Sequence, residues 1–513
     1  MGIRILLSVL AATTLAYPAQ AQKSRDTIRV GVYQPVPLID NIYNPSPETA
    51  LITNIVFDAL VYFDAAKREY KPLLAESFQR IDARTYEFKI RQGVKFHNGD
   101  TLDADDVIYS IEAYVDPKNN FRFKDTRYGW IDKVEKIDPT TIRITSKTPM
   151  APFLDRLTAA NVPVYPKKVY SALENKGDFG RNPIGTGPYK VTSFNPAKGE
   201  IVYEKFDGYT LGNIKPAGTV KRIQLMSIAD KQTQMARLMS GQQDIVYEVE
   251  PDQIDSLRMN PNIEVSVERT VSFSYVLFDT KNRTGIEVFR DKRVREALLK
   301  AIDRPALVKA FLPKEQQNDK LQQAMCHEWH VACVSSLDPV SYDPDGARKL
   351  LAEAGHAKGF DLSIATWGPG IRIAEAVSGM WKKVGVNAKV DSSTIGVYAQ
   401  KRADGKMAVT VTQWDNGGAQ PDVETTMGFF FIDSSRDYIG DKKLYDAVAA
   451  GRSEIDSTKR EAIYREALDH VTREAYMMPL IGLPATIAHS KDVKLLEGHK
   501  SPQGIELNFL QWK

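Results

Sequence analysis

Two stretches of this chain gather side chains able to do chemistry. The first is CHEWHVAC, Cys326 to Cys333, where two thiols bracket His327, Glu328 and His330. Such residue types suit a metal site, and the two thiols equally suit a short disulfide loop if their Cα atoms come within about 7 Å in an oxidising compartment. The order is not the HExxH of a zinc protease, because His327 precedes Glu328 and only Trp329 separates that pair from His330. A Cys326–Cys333 disulfide is the preferred reading and a metal site its alternative; no cofactor is expected. The second stretch is QWDNGGAQPD, Gln413 to Asp422. Trp414 can stack on an apolar part of a ligand, and Asp415 or Asn416 can accept hydrogen bonds from it. The bland reading of that stretch is a turn beside a core tryptophan.

Other reactive patterns are missing. His97 sits beside a turn with no carboxylate or cysteine at metal spacing, so a structural role is expected for it. NPIGTGPYKV, Asn182 to Val191, lacks the GxxxxGK[ST] spacing and leads through Pro188 into a strand, so it reads as a backbone crossing and not as a phosphate loop. No GxSxG elbow, HExxH or S-x-x-K set occurs. A non-enzyme is therefore expected, with a secreted hydrolase as the remote alternative.

The elements that would position these residues belong to an exported globular chain. Arg4, an apolar run from Ile5 to Ala16, and Ala19 and Ala21 two apart have the grammar of a signal peptide over residues 1–21, with the mature chain starting at Gln22. The apolar run is short of the roughly 20 residues that span a bilayer. The mature chain is too long for one ordinary core and predicts two or three lobes. A net charge of +3, with basic and acidic residues interspersed, gives no field for nucleic acid.

Leu73 to Ile111 reads LLAESFQRIDARTYEFKIRQGVKFHNGDTLDADDVIYSI. Tyr86, Phe88 and Ile90 alternate as on a strand, Gly93 and Asn98-Gly99 mark turns, and Asp103 or Asp105 can cap a helix whose Val107, Ile108 and Ile111 face a core. This cassette resembles the signature segment of the family 5 extracellular solute-binding proteins, the peptide, nickel and opine receptors of bacterial ABC importers. GTGPY, Gly185 to Tyr189, matches the segment where such chains return from an inserted subdomain. The resemblance runs through nearly the whole mature chain. It implies an α/β, bilobal periplasmic-binding-protein fold (type II, cluster C like) with an extra inserted subdomain: lobe I over 22–50, 181–268 and 483–513, the insert over 51–180, and lobe II over 269–482.

The local pattern agrees with alternating strands and helices. Thr27–Tyr33 reads as a first strand, the Pro-rich 34–47 as a long loop, and Glu48–Leu60 as a helix. Further on come a helix over Lys231–Met239, strands at Ile263–Val267 and Val271–Asp279, and a helix in RDKRVREALLKAIDR, whose Arg293, Arg295, Glu296 and Lys300 read as a solvated face. Asp343 and Pro344 open another helix, and Met478-Pro479 with Gly482 suggest the crossing back.

The resemblance also implies a periplasmic receptor of a Gram-negative cell. It would be a monomer that captures a peptide or peptide-like small solute between its lobes and delivers it to an inner-membrane ABC permease. Site candidates are Tyr33, Phe273, Tyr275, Trp367, Trp414, Asp415 and Asn416, with Tyr128 and Trp130 as weaker contributors. In peptide-binding members the loop reads W-x-x-D, and its Asp holds the peptide's ammonium. Here the third residue after Trp414 is Gly417. A buried ammonium needs a carboxylate, so either Asp415 or Asp422 takes over, or the ligand is an opine, an oligosaccharide, a metal chelate or a modified peptide.

Overall fold

The computed structural model describes residues 25–513 except 65–66, 120, 122–123, 160, 248, 269, 318–320, 328–329, 415–421, 497–499 and 502–503. The expected signal peptide and its cleavage point lie outside the described residues, as do Glu328, Asp415, Asn416 and Gly417.

In chain order the strands of the main sheets begin with β1 (Thr27–Val32), the hairpin β2 (Val61–Asp64) and β3 (Glu69–Pro72), then β4 (Ala75–Arg80), β5 (Thr85–Ile90), β6 (Ile131–Asp138) and β7 (Thr141–Ser146). They continue with β8 (Tyr189–Asn195), β9 (Glu200–Lys205), β10 (Arg222–Ser227), β11 (Ile245–Tyr247) and β12 (Ile263–Glu268). The rest are β13 (Phe273–Phe278), β14 (Phe360–Trp367), β15 (Val386–Ser393), β16 (Val409–Trp414), β17 (Met477–Gly482) and β18 (Ala485–Ser490). A seven-stranded sheet, β12-β18-β11-β1-β10-β9-β8, forms the first lobe, and a five-stranded sheet, β15-β14-β16-β13-β17, the second. The inserted segment carries a separate sheet, β4-β5-β7-β6. The fold is the bilobal α/β arrangement expected.

The second sheet is covered by helices on both faces, which is why β13, FSYVLF, is apolar almost throughout and buried at all six positions. Its alternate residues serve different cores. Val276 and Phe278 pack with Trp381 and Ile364, whereas Phe273, Tyr275 and Leu277 pack with Phe430, Tyr464 and Met477.

The signature cassette is a clasp. Tyr86, Phe88 and Ile90 are buried, Gly93 and Gly99 take φ of +80° and +90°, and Asp103 caps the helix Ala104–Val115 in a capping box with Asp106. His97 closes it onto GTGPY: its Nδ1 accepts from the Gly185 amide at 3.3 Å, and its Nε2 lies 2.9 Å from the Gly187 carbonyl. Burial pushes that imidazole down to about 4, so it stays neutral at pH 7. GTGPY in turn lies against the end of the helix Pro47–Val56. A Cβ at Gly185 or Gly187 would stand 1.9 Å from the Val56 oxygen or 2.5 Å from the Ile55 oxygen, so only glycine fits.

Several expectations need correcting. The helix expected over Glu48–Leu60 ends at Val56, because Phe57 already has extended backbone. Arg295 is buried, and its guanidinium donates to the carbonyls of Phe289, Arg290 and Glu474, so it belongs to the interior of its helix's contact and not to a solvated face. Met478-Pro479 lies inside β17 and not at a crossing. Pro479 is tolerated because β17 is an edge strand whose pairing with β13 shifts register there.

Candidate functional site

Strand direction brings two rims face to face. In the first lobe β1, β10 and β11 run parallel and end together at Val32, Ser227 and Tyr247, where β12 ends at Glu268 and β18 begins at Ala485. In the second lobe β14, β15 and β16 run parallel and end on the side where β13 begins and β17 ends, with Phe273 opposite both Trp414 and Gly482. The connectors, 270–272 as far as described and 483–484, therefore lead from one rim to the other. They bond to each other, with Thr270 Oγ1 donating to Leu483 O at 2.6 Å and the Leu483 amide to Ser272 O at 2.9 Å. Strand ends meeting across such a gap are where α/β proteins place ligands.

Trp414 ends β16 on this rim, half-buried, with its ring 4.3 Å and 5.2 Å from those of Phe429 and Phe430. Its Nε1 is buried and finds no hydrogen-bond partner among the described residues; neither do the hydroxyls of Thr366 and Thr412, which flank Gly370. Buried polar atoms are seldom left in that condition, so the rim offers donors and acceptors to something else. Trp367 ends β14 beside them and is half-buried. Across the gap, Tyr33 follows β1 with 36% of its surface exposed, and the Lys231 ammonium sits 5.3 Å from its ring centre. Lys231 pairs with Glu250, which also takes Arg372 of the second lobe at 3.4 Å.

Other candidates are placed away from the rims' surfaces. Phe273 and Tyr275, at 0% and 2% exposure, lie in the packing beneath the rim, where the strand's alternation sets Tyr275 against Phe430 and Phe273 beside Tyr275. Tyr128 is likewise interior, donating to Asn161 O at 2.6 Å, and Trp130 packs on Phe153. Asp422 is committed: it receives Arg460 through two bonds of 2.8 and 2.6 Å and caps the helix Val423–Phe430. A carboxylate so held is not available to a ligand ammonium.

Cys326 and Cys333 are joined by a disulfide with Cα atoms 6.0 Å apart. His330 is buried, its Nδ1 accepting the His327 amide at 2.9 Å, and burial with the neighbouring His327 pushes it down to about 3. His327 Nε2 lies 3.0 Å from Ser272 O, which fixes the disulfide loop to one connector. Among the described residues no group of three or more His, Cys, Asp or Glu is placed to hold a metal ion. A cavity of about 440 Å³ opens beside the loop, lined by Thr270, Gln322, His327, Ile481 and Leu483 among others, and by none of Tyr33, Trp367 or Trp414.

Sequence reasoning missed the polar groups that cross between the lobes, Lys231, Glu250 and Arg372 among them. On the other side of the rims Arg156 of the inserted segment pairs with Glu424, and the Ala151 amide donates to Arg452 O at 2.8 Å. Nothing local announces such pairs, whose members stand far apart in the chain.

Residues 69–434 match the family described as bacterial extracellular solute-binding proteins, family 5 (middle). The chain belongs to that family. It is 28% identical over 442 residues to the glutathione-binding protein GsiB of Escherichia coli (strain K12), covering 82% of each chain. Among solved structures, the fold is similar to that of the dipeptide-binding protein from Pseudoalteromonas sp. SM9913 in complex with Met-Leu, at TM-score 0.83 and 21% identity over 95% of this chain and 100% of that one. NikZ from Campylobacter jejuni, in complex with Ni(L-His), aligns at TM-score 0.80 and 23% identity over 95% of this chain and 100% of that one. No helix among the described residues is long and apolar enough to cross a membrane.

Proposed function

We propose that this family 5 protein is the periplasmic receptor of an ABC importer. It captures a peptide or peptide-like small solute reversibly between its lobes and hands it to an inner-membrane permease, without catalysis and as a monomer. The observation that carries the reading is the pair of facing rims joined by two short connectors, with Trp414 presenting an indole N–H that has no partner among the described residues, beside Phe429. Ligand contacts made to both lobes would shift the balance toward closure. In this reading Tyr33, Trp367 and Trp414 border the site, and Asp415 and Asn416, next in sequence after Trp414, are further candidates. The sheets' membership supports the division of the chain into lobe I (22–50, 181–268 and 483–513), an insert (51–180) and lobe II (269–482).

The ligand class follows from two positions. Gly417 stands where peptide receptors carry the ammonium-binding Asp, and Asp422 is held by Arg460. The favoured solute is therefore peptide-like with its amine away from that position, and glutathione, named for relatives of this chain, is the first compound to try.

Thermal melting of the purified protein with glutathione, Met-Leu, an opine, an oligosaccharide and Ni(L-His) tests this. A true ligand at 100 times its Kd raises stability by about 2.7 kcal/mol. Trp414→Ala is expected to abolish that gain while the protein stays folded. Turnover of ester or peptide substrates, or stabilisation by none of the five compounds, would overturn the proposal.

A further inference from the structure

We propose that closing the lobes captures a proton at Asp155, so that the ligand-free receptor closes more readily as its surroundings become acidic. Asp155 opens a short turn of the inserted segment, Asp155–Leu157, next to Arg156, whose guanidinium reaches Glu424 of the second lobe. Asp155 is 3% exposed. One carboxyl oxygen accepts the Tyr70 hydroxyl at 2.7 Å, and Oδ2 has no hydrogen-bond partner among the described residues.

The groups that face it come from five elements. Tyr70 belongs to β3 and Arg156 to the same turn as Asp155. Asp422 and Glu424 stand at the start of the helix Val423–Phe430, and behind them lie Arg452 of the helix Lys442–Ser453 and Arg460 and Tyr464 of the helix Ser457–Arg473. Arg460 holds Asp422 in two bonds, and Arg156 and Arg452 both hold Glu424, the latter at 2.8 Å from Nε; Arg156 Nε has no partner among the described residues, and its charge favours the ionised Asp155 without bonding to it. Among the described residues no ion pair is made to Asp155, and closing the lobes brings a second carboxylate, Asp422, toward it. An ionised carboxyl in that position is costly and a protonated one is not.

The electrostatics agree with the geometry. Burial first, and then Asp422, push the Asp155 carboxyl up to about 7, against Tyr70 and Arg156. Glu424, His330, Tyr70 and Tyr464 do not change charge between pH 5.5 and 8. Arg156 and Arg452 hold Glu424 down at about 2, His330 is neutral, and Tyr70 and Tyr464 are pushed upward. With the lobes parted, water reaches Asp155 and Asp422 is gone, so the carboxyl returns toward the ordinary range. Closed protein therefore binds up to one more proton than open protein from the ordinary carboxyl range to about pH 7, and the excess fades above it. By linkage the closed-to-open ratio falls by up to about tenfold per pH unit as pH rises toward 7, then levels off. Asp40, raised to about 6, and Glu506, raised to about 7, titrate in the same window, but both sit inside the first lobe, beside Tyr165 and Lys215, and keep those neighbours whether the lobes part or not.

Small-angle scattering of the ligand-free full chain from pH 5.5 to 8.5 reads the closed fraction directly. The wild type is expected to expand as pH rises. Asp155→Asn should remain compact with no pH dependence, and Asp422→Asn should move the transition to lower pH. A flat wild-type profile, or an Asp155→Asn profile that keeps the wild-type slope, overturns the proposal. If circular dichroism finds Asp155→Asn unfolded, Asp422→Asn decides, and an unmoved midpoint overturns it.

Discussion

Two buried ion pairs in this molecule look alike and do different work. Lys215 and Asp58 meet at 2.7 Å with side chains 2% and 0% exposed, and Thr186 and the Phe57 carbonyl complete the site. Every participant belongs to the first lobe and its inserted segment, so the pair is made once, at folding. Arg156 and Glu424 are 12% and 1% exposed and stand on bodies joined by two connectors. In the proposed closure that pair is made each time the lobes meet. A third kind of contact, Arg258 with Glu315 and Lys314 with Asp255, also links the lobes but lies in solvent. Burial decides how much a charge pair matters, and the body each partner rides on decides whether it matters to folding or to closure.

That contrast can be broken by substitution. Asp58→Ala leaves the buried Lys215 ammonium without its bonded carboxylate, with only Glu506 nearby, and should cost about 3–5 kcal/mol of folding stability in a denaturant melt; a loss below about 1 kcal/mol would mean water or Glu506 replaces the carboxylate. The effect of acid is next in size. The His97 imidazole, neutral and held down to about 4, binds its proton only when the chain unfolds. Stability is therefore lost as pH falls from about 6.5 toward 4, by up to about 3 kcal/mol. Subtracting a His97→Gln melt series from the wild-type series over that range isolates this loss. Arg156→Ala should leave the unliganded melt nearly unchanged, since Glu424 keeps Arg452, while weakening closure and ligand affinity by roughly 10- to 100-fold, the worth of a charged hydrogen bond of about 1.5–3 kcal/mol. Titration calorimetry with whichever solute stabilises the protein measures it. Arg258→Ala, removing a pair whose partners are 38% and 39% exposed, should change either quantity by less than about 1 kcal/mol, and less still in high salt.

Much of the scaffold was legible in the order of residues alone. The alternation of Tyr86, Phe88 and Ile90, the Asp103 cap and the helix at Lys231–Met239 are found where the pattern put them, and the glycines of GTGPY meet the carbonyls that require them. These features are encoded within a few residues of one another, where periodicity and capping act. The site was legible only in part. Trp414 stands at the rim, but Phe273 and Tyr275 turned inward, because an aromatic on a strand buried on both faces has no exposed side to choose. Arg295 misled for a related reason: charge on a helix suggests solvent, yet three carbonyls folded around the guanidinium.

The amino-acid sequence by itself determined the family, the α/β elements and the glycines and caps that hold them, since each depends on near neighbours. Only the tertiary structure decided which charges meet across the gap, that Asp422 is bound to Arg460, and that Asp155 makes no ion pair among the described residues. Those outcomes depend on how two separately packed bodies approach, and side chains 268 positions apart, such as Arg156 and Glu424, leave no mark in either's local pattern.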